Sequence, residues 1–371
     1  DSKMILNRLS IVNYKNIAQA EVAFSEKINC FFGNNGMGKT NILDSIYYLS
    51  FCKSHIHTPD TQLIRFGEDM CVLQGFYDFE GKTEELFCAI RNKQRKQFKR
   101  NKKEYDKLSD HIGLLPLVMI SPADTDLIQG GSEDRRRFLD LIISQQDKKY
   151  LYSLIQYNKA LTQRNALLKE QNLDASLFEA LDLQLVRFGE YIYMKRKELV
   201  ESLVPIFNRY HQQICESTEE VGLNYASQLH AEPLYDKLQR SRERDMILGY
   251  TSSGVHKDDL EMTLGNSLIR RLGSQGQRKT FLIALKFAQF FLLSEEGSIT
   301  PLLLLDDIFD KLDARRVAQI IKLVSKEDFG QIFITDTNRQ YLDDIIRNIN
   351  HDYALFEVKG GVITSMERAN V

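Results

Sequence analysis

The sequence lacks a strong charge of either sign: 49 Lys and Arg stand against 51 Asp and Glu, a net of −2. That excludes a surface basic throughout, so any contact with nucleic acid has to rest on a local patch. Paired cysteines are lacking too. Cys30, Cys52, Cys71, Cys88 and Cys215 are odd in number, scattered and never spaced C-x-x-C. This fits reduced thiols better than a disulfide framework or a cysteine zinc site. No apolar run is long enough to span a bilayer, no secretory signal is expected ahead of Met4, and neither low-complexity sequence nor an internal repeat occurs. A cytoplasmic protein without a membrane partner is expected. With 371 residues, 43% of them apolar, the chain can form two domains, or one domain with a large insertion. The three residues ahead of Met4 are set aside from the fold reading.

What is present begins with alternating apolar and polar residues over 5–14 and 18–24, the period of strands. Lys27 to Phe32 reads as a short buried strand running into a glycine loop. Asn41 to Phe51 follows with Ile42, Leu43, Ile46, Tyr47 and Leu49, the spacing of a helix with one apolar face. Residues 70–100 read as an antiparallel meander and Pro116 to Ile120 as another short strand. From about 131 to 215 the pattern is that of long helices. Leu154, Leu161 and Leu168 recur in one run, and Leu181, Leu185, Phe188, Ile192, Leu199, Leu203, Ile206 and Tyr210 in the next. Two antiparallel helices follow, either an ordinary helical subdomain or a protruding arm, with a kink expected at Pro205. Residues 259–371 return to alternating strands and helices. The fold class is therefore α/β: a nucleotide-binding domain over 4–120 and 255–371, with a mainly helical domain inserted over 121–254.

The glycine loop reads GNNGMGKT, residues 33–40. Gly33, Gly38, Lys39 and Thr40 fit the P-loop spacing, with a strand before and a helix after. Small residues, here Gly33, Asn34, Asn35, Gly36, Met37 and Gly38, let backbone N–H groups turn inward around a phosphate, and the helix starting near Asn41 adds its positive end. Lys39 can reach the β- and γ-phosphates, and Thr40 offers a hydroxyl to Mg²⁺. Far along the chain, Pro301 to Leu305 is a buried strand ending in Asp306 and Asp307. The first acid suits Mg²⁺, and the second can orient or deprotonate an attacking water. Many ATPases of this layout carry Glu in the second position. The shorter Asp predicts slow hydrolysis, suited to a switch rather than a motor.

Ser274, Gln275, Gly276 and Gln277 open a helix about thirty residues before the acid pair. LGSQGQ (272–277) resembles the signature loop of ABC-type ATPases. The resemblance implies that this loop completes the ATP site of a partner subunit, and that Asp313, matching the family's D-loop, also faces the partner. ISPADTDLIQGGSEDRRRFLD (120–140), LTQRNALLK (161–169), TSSGVHKDDL (251–260), SQGQRKT (274–280) and LSIVNYKNI near the start narrow the likeness. Over nearly the whole of 4–365 the chain resembles the RecF family of bacterial recombination mediators, relatives of the SMC proteins. The resemblance implies an ATP-dependent homodimer that binds double-stranded DNA near gaps, works with RecR and RecO, promotes RecA loading and resets by weak ATPase activity. It also puts 120–126 near a loop that senses the γ-phosphate. An ATPase subunit of another system, a transporter or an SMC-like structural protein, is the alternative.

Three departures stand out. SHIHT (54–58) holds His55 and His57 where RecF proteins often carry an arginine, Val255 replaces a customary proline, and Thr335-Asp336 stands where transporter ATPases place a switch histidine. For DNA, the run 91–103 carries eight basic residues. Arg95, Lys96, Lys99, Arg100, Lys102 and Lys103 are the candidate contacts on a hairpin that can track phosphates without reading sequence. The other reading is a solvated edge strand whose lysines block aggregation. Arg135, Arg136 and Arg137 open a helix, where cations need local acids or a phosphate as partners. Lys195, Arg196 and Lys197 are expected on a solvent face.

Overall fold

The structure, a computed structural model, describes residues 2–215, 219–310, 312–326, 328–337, 339–349 and 351–370, the side chains of 339–341 excepted. The chain forms two compact units, Asp1–Asp124 with Lys286–Val371, and Thr125–Leu285.

In the first unit a six-stranded sheet runs Val362–Ala369, Tyr353–Lys359, Ile28–Phe32, Ile332–Asp336, Leu302–Asp306, Leu117–Ile120. All neighbours are parallel except the first pair. The central strands read INCFF, LLLLD and IFITD and are buried at every residue, as strands covered on both faces must be. One cover is the helix Lys39–Phe51, whose only residues not buried are Thr40 and Asn41 in its first turn. Register places Asp306 beside Thr335 and Asp336 beside Phe32. The carboxyl ends of three strands therefore meet the start of that helix, where ligands bind in such sheets.

The second sheet runs Ile299–Thr300, Ser2–Tyr14, Met70–Phe79, Lys82–Arg91, Gln97–Arg100, Lys103–Glu104, with Ile17–Ala23 also on Ser2–Tyr14; it is an antiparallel meander apart from Ile299–Thr300, which pairs in parallel. Its turns Glu80-Gly81 and Asn101-Lys102 have positive φ at both residues, the tight hairpin geometry that matches strand twist. Ser2 and Lys3, set aside in the sequence reading, extend the first strand and pair with Ile299 and Thr300.

The second unit holds the helices Lys148–Lys169 and Ala175–Ile214, joined by a turn that Asp174 caps by accepting from the Ser176 and Leu177 N–H groups. The second helix continues through Pro205. Its packing is more polar than the leucine pattern suggests. Arg164, fully buried, donates to Asp182 at 2.7 Å and to Asp245 at 2.8 Å. Arg196 corrects the reading of 195–197 as a solvent face. It is buried, donating to Asp140 at 3.0 Å and Asp258 at 2.9 Å. The return segment also differs from expectation, because 255–285 belongs to this unit and not to the nucleotide-binding one. The cause is pairing: Asp259–Leu264 lies between Val221–Ala226 and Ser267–Leu268 in a three-stranded antiparallel sheet. Asp259 is also held by Arg135 at 2.6 Å.

Candidate functional site

Three glycines shape the loop between the strand Ile28–Phe32 and the helix Lys39–Phe51, each for its own reason. A side chain on Gly33 would meet the Val358 carbonyl oxygen at 2.3 Å, Gly36 has φ +79°, and Gly38 has φ +112° with Asn16 Oδ1 2.8 Å from where a Cβ would sit. Two hairpin turns brace the loop from outside. Asn16 accepts from Asn41 Nδ2 at 2.7 Å, and the Met37 carbonyl accepts from the Gly361 N–H at 2.8 Å. Gly361 packs against Asn16 so closely that a Cβ would lie 2.2 Å from its carbonyl oxygen. Asn34 and Asn35 stay exposed at the loop's outer turn, where the Asn34 carbonyl accepts from the Met37 N–H at 3.4 Å.

Lys39 is 5% exposed, and its Nζ has no hydrogen-bond partner in the protein. Burial pushes its pKa down, while Asp307, Asp336 and Asp306 oppose the shift. A buried ammonium is costly unless something pairs it. It lies on a cavity of about 120 Å³ lined by Asn35, Gly36, Gly38, Thr40, Asn41 and Asp307. The orphaned cation, the helix start and the turned-in loop fit an anionic phosphate.

Across the loop the Thr40 hydroxyl lies 3.1 Å from each oxygen of Asp306. Thr335 Oγ1 donates to Asp306 Oδ1 at 2.6 Å. Burial raises the Asp306 pKa, and the hydrogen bonds from Thr335 and Thr40 temper that shift. Hydroxyl and carboxylate together form the hard-oxygen set that Mg²⁺ takes, so these residues fit that ion. Asp307 has φ +50°, an uncommon conformation for a residue with a Cβ. Its N–H is held by Thr335 Oγ1 at 3.0 Å and the Thr335 carbonyl at 3.2 Å. Its Oδ1 is buried with no partner in the protein and its side chain lines the same cavity. The strain sets a second acid beside the lysine, free to hold a water.

The structure thus brings Lys39, Thr40, Asp306 and Asp307 together across 266 positions of sequence. Ser274 lies in the other unit. Its hydroxyl accepts from the Gln277 N–H at 3.2 Å and Gln277 Oε1 accepts from the Ser274 N–H at 2.7 Å, a capping box that opens the helix Gln275–Glu296. Ser274 and Gln275 are exposed, and Gly276 is half-buried. Asp313 is exposed and caps Ala314–Val324 by accepting from the Arg316 N–H at 2.9 Å. Sequence reading missed Asn16 and Gly361, and did not anticipate that Thr335 would hold Asp306 and Asp307 at once. Two successive glycines at 360–361 were the visible trace of the brace, without any sign of what they face.

Among the described residues, no group of three or more His, Cys, Asp or Glu side chains is placed to hold a metal ion, at His55 and His57 or elsewhere. His55 Nε2 instead lies 3.1 Å from Ser121 Oγ and 3.5 Å from Asp124 Oδ1. Burial raises the Asp124 pKa, but Lys286 and His55 more than offset it and bring it to about 2. In the basic hairpin Lys96 and Arg100 have side-chain partners within the chain, and Arg95 donates to the Asp106 carbonyl at 3.2 Å. Lys96 donates to Tyr48 at 2.8 Å and to the Cys52 carbonyl at 2.6 Å and pairs with Asp60 at 3.0 Å. Arg100 grips Glu84 with two bonds, at 2.8 and 2.9 Å. Arg95, Lys102 and Lys103 are exposed and Lys99 is half-buried. Local partners also account for the 135–137 arginines: Asp259 for Arg135, Ser132 and the Asp258 carbonyl for Arg136, Glu133 for Arg137.

A family model described as the RecF/RecN/SMC N terminal domain matches residues 5–364. The chain is 70% identical to the DNA replication and repair protein RecF of Parabacteroides distasonis, over 98% of this chain and 100% of the relative. This chain belongs to the RecF family. The RecF of Bacteroides fragilis (ATCC 25285) is 55% identical over 98% of this chain and 99% of its own length. Among solved structures, the recombination mediator protein RecF-ATP in the RecFOR pathway matches with a TM-score of 0.88 and 28% identity, covering 98% of both chains. The Smc head domain of Pyrococcus furiosus, at 17% identity and a TM-score of 0.58, shares the fold. The RecF-family chain is thus a DNA replication and repair protein on an ABC-type ATPase head. Among the described residues no helix is long and apolar enough to cross a membrane.

Proposed function

We propose that this protein is an ATP-operated switch on DNA: ATP binding joins two copies through the Ser274 loops, the joined pair holds duplex DNA, and slow hydrolysis releases it. The observation that carries the reading is the buried, unpartnered Lys39 ammonium at the start of a helix, with three carboxylates around it and a cavity in front. Lys39 and the loop N–H groups bind the β- and γ-phosphates. Thr40 and Asp306 are the residues that would hold Mg²⁺, which would supply charge neutralisation when bound. Asp307, fixed by its two bonds to Thr335, orients the attacking water and takes its proton. An Asp reaches one methylene less than the usual Glu, so turnover stays well below about 10 s⁻¹. Arg95, Lys99, Lys102 and Lys103 contact DNA phosphates, and Asn34, Asn41, Gln275, Gly276, Gln277 and Asp313 complete the nucleotide site in one copy or the other. The solved relative's place in the RecFOR pathway supports RecR and RecO as partners, and RecA loading is the outcome this reading adds.

The test is Asp307→Asn, which removes the base and keeps the shape. We expect unchanged Mg·ATP affinity by titration calorimetry and single-turnover hydrolysis at least about 100-fold slower. Hydrolysis at the wild-type rate would remove Asp307 from the mechanism.

A further inference from the structure

The segment 251–260, one of the strings that carry the family likeness, has no part in the nucleotide site. Its turn is built around Gly254, whose φ of +141° and position leave no room for a side chain: a Cβ would lie 2.2 Å from the Tyr157 hydroxyl. Val255 is 1% exposed. His256 has both ring nitrogens engaged, Nδ1 with the Tyr157 hydroxyl at 2.8 Å and Nε2 with the Thr251 carbonyl at 2.8 Å. Burial pushes its pKa down to about 4, so it is neutral in the folded protein near pH 7. Asp258 is fully buried between Arg196 at 2.9 Å and Tyr225 at 2.5 Å. Of the side chains from Val255 to Asp258, one faces out. Lys257 is exposed, its Nζ 5.2 Å above the ring of Tyr250, which is 44% exposed.

A second cation is tied to this turn. Arg136 is half-buried, and its Nη1 donates to the Asp258 carbonyl at 3.0 Å and to Ser132 Oγ at 2.7 Å. Arg136 thus reaches the backbone of the residue that follows Lys257, which places both cations at the same short turn. Much buried polar structure therefore holds one lysine over an aromatic ring beside an arginine. A flexible ammonium gains most from such an arrangement when it must meet an anion without first losing its freedom.

We propose that Lys257, steered by Tyr250 and backed by Arg136, is a phosphodiester contact through which the Thr125–Leu285 unit takes hold of duplex DNA. This rests on the DNA-binding reading above and adds to it a contact in the second unit. The ligand is the sugar-phosphate backbone, because a point charge of this kind carries no base preference.

The experiment uses the full-length protein with ATP and a fluorescent duplex, titrated at several salt concentrations, for wild type, Lys257→Gln and Lys257→Arg. Lys257 is exposed, so melting temperature and ATP affinity should match wild type in both variants. Lys257→Gln should bind roughly three- to tenfold more weakly at every duplex sequence, with a salt slope smaller by about 1 per engaged protomer. Lys257→Arg should restore both. If wild type binds duplex DNA and Lys257→Gln does so with equal affinity and slope, this contact is refuted while the wider reading stands. That is also the outcome if the lysine serves an acidic protein surface. If wild type with ATP fails to bind duplex DNA, both fall.

Discussion

At Lys39 folding and function pull in opposite directions. The loop buries an ammonium with no hydrogen-bond partner in the protein, a cost the ligand-free chain carries because the cation is needed when phosphate arrives. Lys39→Met keeps the stem and removes the charge. The ligand-free variant should be more stable by about 1 kcal/mol in urea titration and bind ATP some 10- to 100-fold more weakly. A variant that is destabilised yet still binds ATP normally would show that the ammonium serves the fold. Residues of this kind were legible in the sequence because the P-loop spacing is local and its chemistry depends on few residue types. Asn16 and Thr335 were not legible in the same way. Asn16 acts on Gly38 and Asn41, and Thr335 on Asp306 and Asp307, from elements that meet the site only in the folded sheet.

At the scale of elements, short apolar runs found the strands around the loop, which are buried on both faces, and periodicity found both long helices. It failed where a helix buries charge. Arg196 sits in a basic triplet that reads as a solvent face, and its partners Asp140 and Asp258 come from two other segments. The internal partners of Lys96 and Arg100 in the basic hairpin were not legible either, since nothing local marks them. The turn Gly254–Asp258 gives a test of this polar core. Burial holds the folded His256 pKa near 4 against an ordinary 6.5, with Tyr157, Arg136, Lys257 and Asp245 as its neighbours. The unfolded chain then binds a proton that the folded chain refuses. The resulting stability is present above pH 6.5 and is lost as pH falls toward 4, by about 1–3 kcal/mol. His256→Gln should flatten this part of the profile in urea denaturation at a series of pH values. A wild-type-minus-variant difference constant with pH would contradict it.

At the scale of the whole molecule, the insertion of a helical unit within a nucleotide-binding one was legible, and the point of return was not. Ser274 opens a helix that begins in one unit and ends in the other, so composition shows no break at the crossing. Asp124 and Lys286, where the chain leaves and re-enters the first unit, lie 3.5 Å apart as an ion pair. The consequence for function is that the P-loop and the Ser274 loop belong to different units. Ser274 is also exposed, with its hydroxyl turned to its own helix start. We propose that this loop meets a nucleotide held by another copy. Sedimentation velocity with and without Mg·ATP, on wild type and Ser274→Arg, tests it most directly. Wild type should shift from monomer to dimer with ATP, while Ser274→Arg should bind ATP with wild-type affinity and remain monomeric. A dimer that forms without nucleotide, or a Ser274→Arg protein that dimerises with ATP as wild type does, would contradict the account.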